Sequence, residues 1–388
     1  MIRLKAFLIS IILVLITLVI LDKTYIKKIE DYYKVNDNSV RYSTSYEKYK
    51  SKDIILENMT PKTLLLLGSS ELTTTINEDY HPKKIFNYND FNIMQVGVGN
   101  SQNIIHAATI GSIGNDVSNN QIVMIQSIQW FDNKNGILKD AFLSRISSEH
   151  VYNTMANDRI SKETKEKLID RIIEITKGNK QQNDLYKKYK KVLVENEGTF
   201  IDRLLMGFDK MLYSFKLKLM FYRNHSKSDY PVSGEATPNY NWEEMTEKFV
   251  DEVKKKTDNN EFGVDNKYYD TYLRERLDSL KGAYKDIDYT ESPEYSDFEI
   301  FLTVAKELGI EVEVIIFPVN GKWNDYTGVS REMREKTYRK IESVVNKFGV
   351  KVLNYGDREY EDYFLFDVMH VGVKGWMEVE KNLYEFSK

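Results

Sequence analysis

The chain has 388 residues, 41% hydrophobic and 29% charged, with a formal net charge of −4. This is a globular composition with enough apolar material for a sizeable core, and nothing in the charge points to nucleic acid. The chain contains no cysteine, which excludes disulfides, thiol catalysis and cysteine-ligated zinc.

Residues 6–21 read AFLISIILVLITLVIL and are apolar on every face. That predicts a transmembrane helix over 1–22 rather than a one-sided core helix. The run is a little shorter than the roughly 17 residues a span usually needs, and Lys5 and Lys23 can snorkel to make up the difference. No small-residue exit follows it, so the segment is expected to remain as an uncleaved anchor. Arg3 and Lys5 precede the run, while Lys23, Lys27 and Lys28 follow it, with Asp22, Glu30 and Asp31 among them. Basic residues alone therefore leave the orientation open. Residues 23–60 are polar and are expected to form a juxtamembrane stalk.

From residue 61 to 388 the pattern predicts a single α/β domain. TLLLLG at 63–68, NIMQVGV at 92–98 and QIVMIQSI at 121–128 are short apolar runs of the kind buried parallel strands show. Helical stretches separate them, with one over 101–113. From about 137 to 300 Lys, Glu, Asp and Tyr dominate at helical spacing, notably over 161–177 and 266–285, which predicts a helical insertion. The charge run Lys187-Lys188-Tyr189-Lys190-Lys191 reads as a solvated helix face. The sheet pattern then returns: a helix over 295–308, a strand over 311–318, a helix over 329–347, a strand over 350–354 and a last helix over 374–386. The expected fold is a parallel sheet flanked by helices, completed across the insertion.

Three segments can carry chemistry. Gly68-Ser69-Ser70-Glu71-Leu72 follows the first strand, where parallel sheets build their sites and a helix amino terminus offers free N–H groups. Taken alone, a serine there can equally cap the helix. Asp367-Val368-Met369-His370 lies near the carboxyl terminus. A serine needs an adjacent base, and a histidine base needs a carboxylate to hold its tautomer. Among His81, His106, His150, His225 and His370, only His370 has an aspartate three residues before it. Gly97-Val98-Gly99 and Gln129 follow the second and third strands and are candidate oxyanion donors. The nucleophile elbow G-x-S-x-G, the Walker A sequence and H-E-x-x-H are all absent, and the dinucleotide fingerprint begun at Gly97 lacks its third glycine. No metal or cofactor is expected.

Together these blocks resemble the SGNH/GDSL hydrolase superfamily, whose fold is a flavodoxin-like parallel sheet. The resemblance aligns Gly68-Ser69-Ser70 with the Gly-Asp-Ser block, making Ser70 the nucleophile, and implies Asp367 and His370 as its partners. It also places Gly99 in the oxyanion hole, with Gln129 standing in for an asparagine block that is not evident. A closer resemblance is to the DltD family of D-alanyl-lipoteichoic acid transfer proteins. It is carried by the anchor, Gly68 to Leu72, Gln129-Trp130-Phe131, Phe317 to Trp323, and Asp367 to His370 with Gly375-Trp376. It implies D-alanine esterification of teichoic acid outside a Gram-positive membrane. The implied partners are a D-alanyl donor on a carrier protein or membrane carrier, the polymer, and other D-alanylation membrane proteins. Asn320, Lys322 and Trp323, just after a strand, are candidates to line the acceptor groove, with Lys322 suited to phosphate. Hydrolysis by the same triad, as an esterase or thioesterase, and a non-catalytic scaffold are the alternative readings.

Overall fold

The computed structural model describes residues 2–27, 38–224 and 232–388. Residues 28–37 of the expected stalk, including Lys28, Glu30 and Asp31, and also His225, lie outside the described residues.

The amino-terminal run forms α1 (Ile2–Ile20). The apolar window Lys5–Thr24 has a mean hydropathy of 2.5 and none of it is buried by the rest of the chain. Length, apolarity and exposure together are those of a membrane-spanning helix. The remainder of the expected stalk differs from the sequence reading over 38–60. Here α2 (Tyr46–Lys50) and α3 (Lys52–Glu57) pack on the body. Arg41 and Lys48 are fully buried although basic, and burial pushes the Lys48 pKa well below the ordinary lysine value. The reason is local: Arg41 donates to the Asn58 carbonyl at 2.9 Å, and Lys48 Nζ donates to the carbonyls of Arg41 and Gln95. These basic side chains act as backbone-satisfying plugs, which polarity along the sequence does not reveal.

Five strands, β1 (Thr63–Leu67), β2 (Asn92–Val96), β3 (Gln121–Ser127), β4 (Glu311–Phe317) and β5 (Lys351–Asn354), form one all-parallel sheet in the order 2-1-3-4-5. This is the flavodoxin-like order, and the direction in which successive strands are added reverses between β1 and β3. Both faces are covered. Leu65 and Leu67 of β1 join one apolar cluster, and Leu64 and Leu66 join the other. That alternation is why the strand reads as an unbroken leucine run.

On one face lie α4 (Asn103–Ile113), α5 (Ser148–Ala156), α6 (Lys162–Ile175), α7 (Glu294–Leu308) and α8 (Arg331–Lys347). The other face is covered by α9 (Trp242–Val253) and the last helix α10 (Val373–Phe386), which buries Trp376, Met377, Val379 and Leu383. The expected insertion over 137–300 is mostly helical, but its end belongs to the sheet: α7 begins at Glu294 and packs on α4. In the charged stretch, Lys190 pairs with Asp170 at 2.7 Å while Lys187 is exposed.

One backbone crossing fixes the active end of the sheet. Gly97 has φ +141°, and a Cβ placed on it would lie 1.9 Å from the Gly68 carbonyl oxygen. Only glycine permits that approach. Gly97→Ala is expected to destabilise the fold by about 3 kcal/mol, an overpacking cost taken on main-chain atoms that cannot swing aside. Thermal or denaturant unfolding measures it; an unchanged midpoint contradicts it.

Candidate active site

The carboxyl ends of β1, β2 and β3 surround a polar cavity of about 300 Å³. Its walls include Ser69 and Ser70 after β1, Asn100 and Gln102 after β2, and Gln129, Asp132 and Leu138 after β3. This is the crevice beside the β1/β3 reversal, where such sheets hold their ligands.

Ser70 stands at the turn into a short helix, Glu71–Thr74. Its side chain does not cap that helix. Instead, the Ser70 Oγ lies 2.9 Å from His370 Nε2. The other ring nitrogen, Nδ1, is 2.7 Å from Asp367 Oδ2. The Asp-x-x-His spacing has a clear physical basis. Asp367 Oδ1 accepts the backbone N–H groups of Met369 and His370, each at 2.9 Å, while Oδ2 remains for the imidazole. One carboxylate thus folds the turn and orients the ring. The turn is itself clamped: Phe366 N–H donates to the His370 carbonyl at 2.8 Å, and a bridge joins Leu365 to Val371.

The electrostatics single out the same histidine. Burial drives the pKa of His81 down to about 3, of His106 to about 4 and of His150 to about 3, so these rings are neutral. Each is tied to structure; His106 Nε2, for instance, sits 3.0 Å from the Gly68 carbonyl oxygen. Burial also acts to lower the pKa of His370, but its hydrogen bond to Asp367 and the charges of Asp367 and Glu71 outweigh this and raise it.

Gly99 is beside Ser70: a Cβ built on it would lie 3.8 Å from Ser70 Cβ. Arg145 Nε holds the Gly99 carbonyl at 2.7 Å. Gln129 and the largely buried Trp130 line the cavity, whereas Phe131 next to them is buried in the core. Asn320, Lys322 and Trp323 are placed otherwise than expected. The Asn320 side chain caps the helix Gly321–Thr327, accepting from the Trp323 N–H at 2.9 Å, and donates to the Phe262 carbonyl at 2.9 Å. Trp323 is buried against Phe262, with ring centres 5.1 Å apart. Lys322 is partly exposed and pairs with Asp362 at 2.9 Å. None of the three lines the cavity at Ser70. Their segment acts from behind, since the Asn320 N–H donates to the Val368 carbonyl at 3.0 Å inside the Asp367–His370 turn.

Glu71 had no role assigned from sequence, though it stands in the serine block. It is buried, and its Oε1 accepts the Ser69 N–H at 2.6 Å. Burial pushes its pKa up to about 7, against the opposing pull of two backbone N–H groups and the His370 charge. Glu71→Gln keeps an acceptor and removes the charge. Because ionised Glu71 raises the pKa of His370, the variant is expected to titrate His370 at lower pH, read by NMR of the ring. A raised carboxyl pKa stabilises the fold below the ordinary carboxylate range, and that contribution is lost as pH rises toward 7. The variant's melting temperature is therefore expected to fall less between pH 4 and 8 than the parent's. Arg145 and Asp132 were also missed; Arg145 is 46 residues from Gly99, and no local spacing signals the contact.

The family model described as DltD protein matches residues 41–388. The chain is 32% identical over 334 residues to Protein DltD of Bacillus subtilis (strain 168), covering 84% of this chain and 83% of that one. It is 26% identical over 328 residues to Protein DltD of Staphylococcus aureus (strain NCTC 8325 / PS 47), covering 83% and 80%. To Protein DltD of Lacticaseibacillus rhamnosus it is 23% identical over 352 residues, covering 89% and 82%. With its parallel sheet, its amino-terminal membrane helix and a match over nearly the whole body, the chain belongs to the DltD family.

Proposed function

We propose that this protein is a membrane-anchored serine acyltransferase that places D-alanine as an ester on teichoic acid, working on the outer face of the membrane. DltD proteins belong to teichoic acid D-alanylation, and the observation that carries the finer reading is the unbroken Ser70–His370–Asp367 relay opening into a cavity.

In the first half-reaction His370 Nε2 takes the Ser70 proton as Oγ attacks the carbonyl carbon of an activated D-alanyl donor. Asp367 stabilises the imidazolium. The tetrahedral oxygen is received by the Ser70 and Gly99 N–H groups, with the Gln129 amide as a further donor. Collapse breaks the bond to the carrier, and His370 returns its proton to that leaving group. A polymer hydroxyl then gives its proton to His370, attacks the Ser70 ester, and restores the free serine. The donor is a carrier protein or a membrane-borne acyl carrier, and other membrane proteins of D-alanylation hand it over.

The test incubates the purified full chain with a D-alanyl thioester and then with glycerol phosphate. Mass spectrometry is expected to find the alanyl mass on Ser70 and to see it leave for the alcohol faster than for water. Release to water alone makes the protein a hydrolase, and no adduct at all makes it a scaffold.

A further inference from the structure

A long helix between the β3 and β4 segments, Phe200–Asn224, carries two apolar faces. Met206, Leu217 and Phe221 are buried and turn toward the body. On another side Phe200, Ile201, Leu204, Leu205 and Leu212 are between 38% and 78% exposed. Their spacing of three, four and seven residues makes one continuous stripe, with Asp209 and Lys216 along its polar flank. A surface helix of a soluble domain needs only the first face.

The neighbour of this stripe says what covers it. Lys218 of the same helix reaches Asp22, at the end of the membrane-spanning window, at 3.3 Å, and Asp53 at 2.8 Å. Leu18, one turn earlier in α1, shares a cavity of about 360 Å³ with Gly207, Met211 and Phe215. Thus the end of α1 that leaves the membrane-spanning window lies beside the Gly207–Lys218 part of this helix. Phe200–Asn224 is therefore held at the level where α1 meets the boundary of the bilayer.

We propose that Phe200–Asn224 is an interfacial membrane helix, its stripe sunk into the boundary between lipid headgroups and acyl chains beside α1. A helix with a strong apolar face and charged flanks lies in that plane, and the buried apolar area sets how firmly it holds. The body is then fixed to the bilayer at two places, which removes rotation about a single tether.

The absence of cysteine makes the test clean. The full chain, as Ile201→Cys, Leu204→Cys, Leu212→Cys, Asp209→Cys or Lys216→Cys, is spin-labelled in vesicles of phosphatidylglycerol and phosphatidylethanolamine. Labels at 201, 204 and 212 are expected to collide more with oxygen than with a water-soluble nickel complex, and those at 209 and 216 to show the reverse. Equal nickel access at all five positions overturns the proposal. Exclusion of both reagents at 201, 204 and 212 also overturns it, by putting a protein where lipid is claimed. All five positions lie away from Ser70's cavity, so the adduct assay reports separately on the chemistry.

Discussion

Replacing Ser70 with alanine is expected to abolish the alanyl adduct and to lower transfer by on the order of 10⁴- to 10⁶-fold, the range over which loss of a serine nucleophile is felt. The fold should not notice. The Ser70 side chain does not cap the following helix, and its Oγ contact is with His370, a partly accessible group. A melting temperature within about 2 °C of the parent is therefore the matching expectation, since surface-type changes cost under about 0.5 kcal/mol. D-alanine ester content of whole cells and intact-protein mass spectrometry read the chemistry. Full ester content in cells carrying only the alanine variant would remove Ser70 from the reaction.

Asp367→Asn is expected to cost about 10⁴-fold in transfer while leaving Ser70 in place. Asp367 Oδ2 accepts the proton-bearing Nδ1 of His370, and an amide there favours the wrong tautomer. The pH dependence should move as well. His370 must be neutral to act as a base, and its pKa is raised, chiefly against the effect of burial, by the Asp367 hydrogen bond and charge. In the parent, activity is lost as pH falls through a value above the ordinary imidazole range. In the variant that acid limb should shift to lower pH, with the plateau reduced. Some stability should go too, because Asp367 Oδ1 accepts two backbone N–H groups and an asparagine must present its oxygen to both that site and the ring. A pH–rate profile with its acid limb unmoved would show that the carboxylate is not what sets the His370 charge.

Much of the site could be read along the chain because its chemistry is local. Asp367 and His370 share one turn, and Ser70 follows a strand whose leucines announce a buried parallel sheet. Strand edges came within a residue or two for the same reason: apolar runs end where the sheet ends. What stayed hidden depends on contacts remote in sequence. Arg41 and Lys48 looked like stalk residues because nothing nearby in the sequence shows the carbonyls that receive them. Asn320 and Trp323 looked like groove residues because a polar-aromatic cluster after a strand is ambiguous until Phe262 is seen to bury it. Asn320 before a helix was the clue to a cap.

Ser70 and His370 are 300 positions apart in the sequence. A ribosome therefore makes Ser70 long before it makes His370. Until the segment after β5 docks, the Ser70 hydroxyl lacks its contact with His370 Nε2. Loss of only the last two dozen residues, a small fraction of the mass, would remove both Asp367 and His370, so the arrangement around Ser70 exists only in the finished chain.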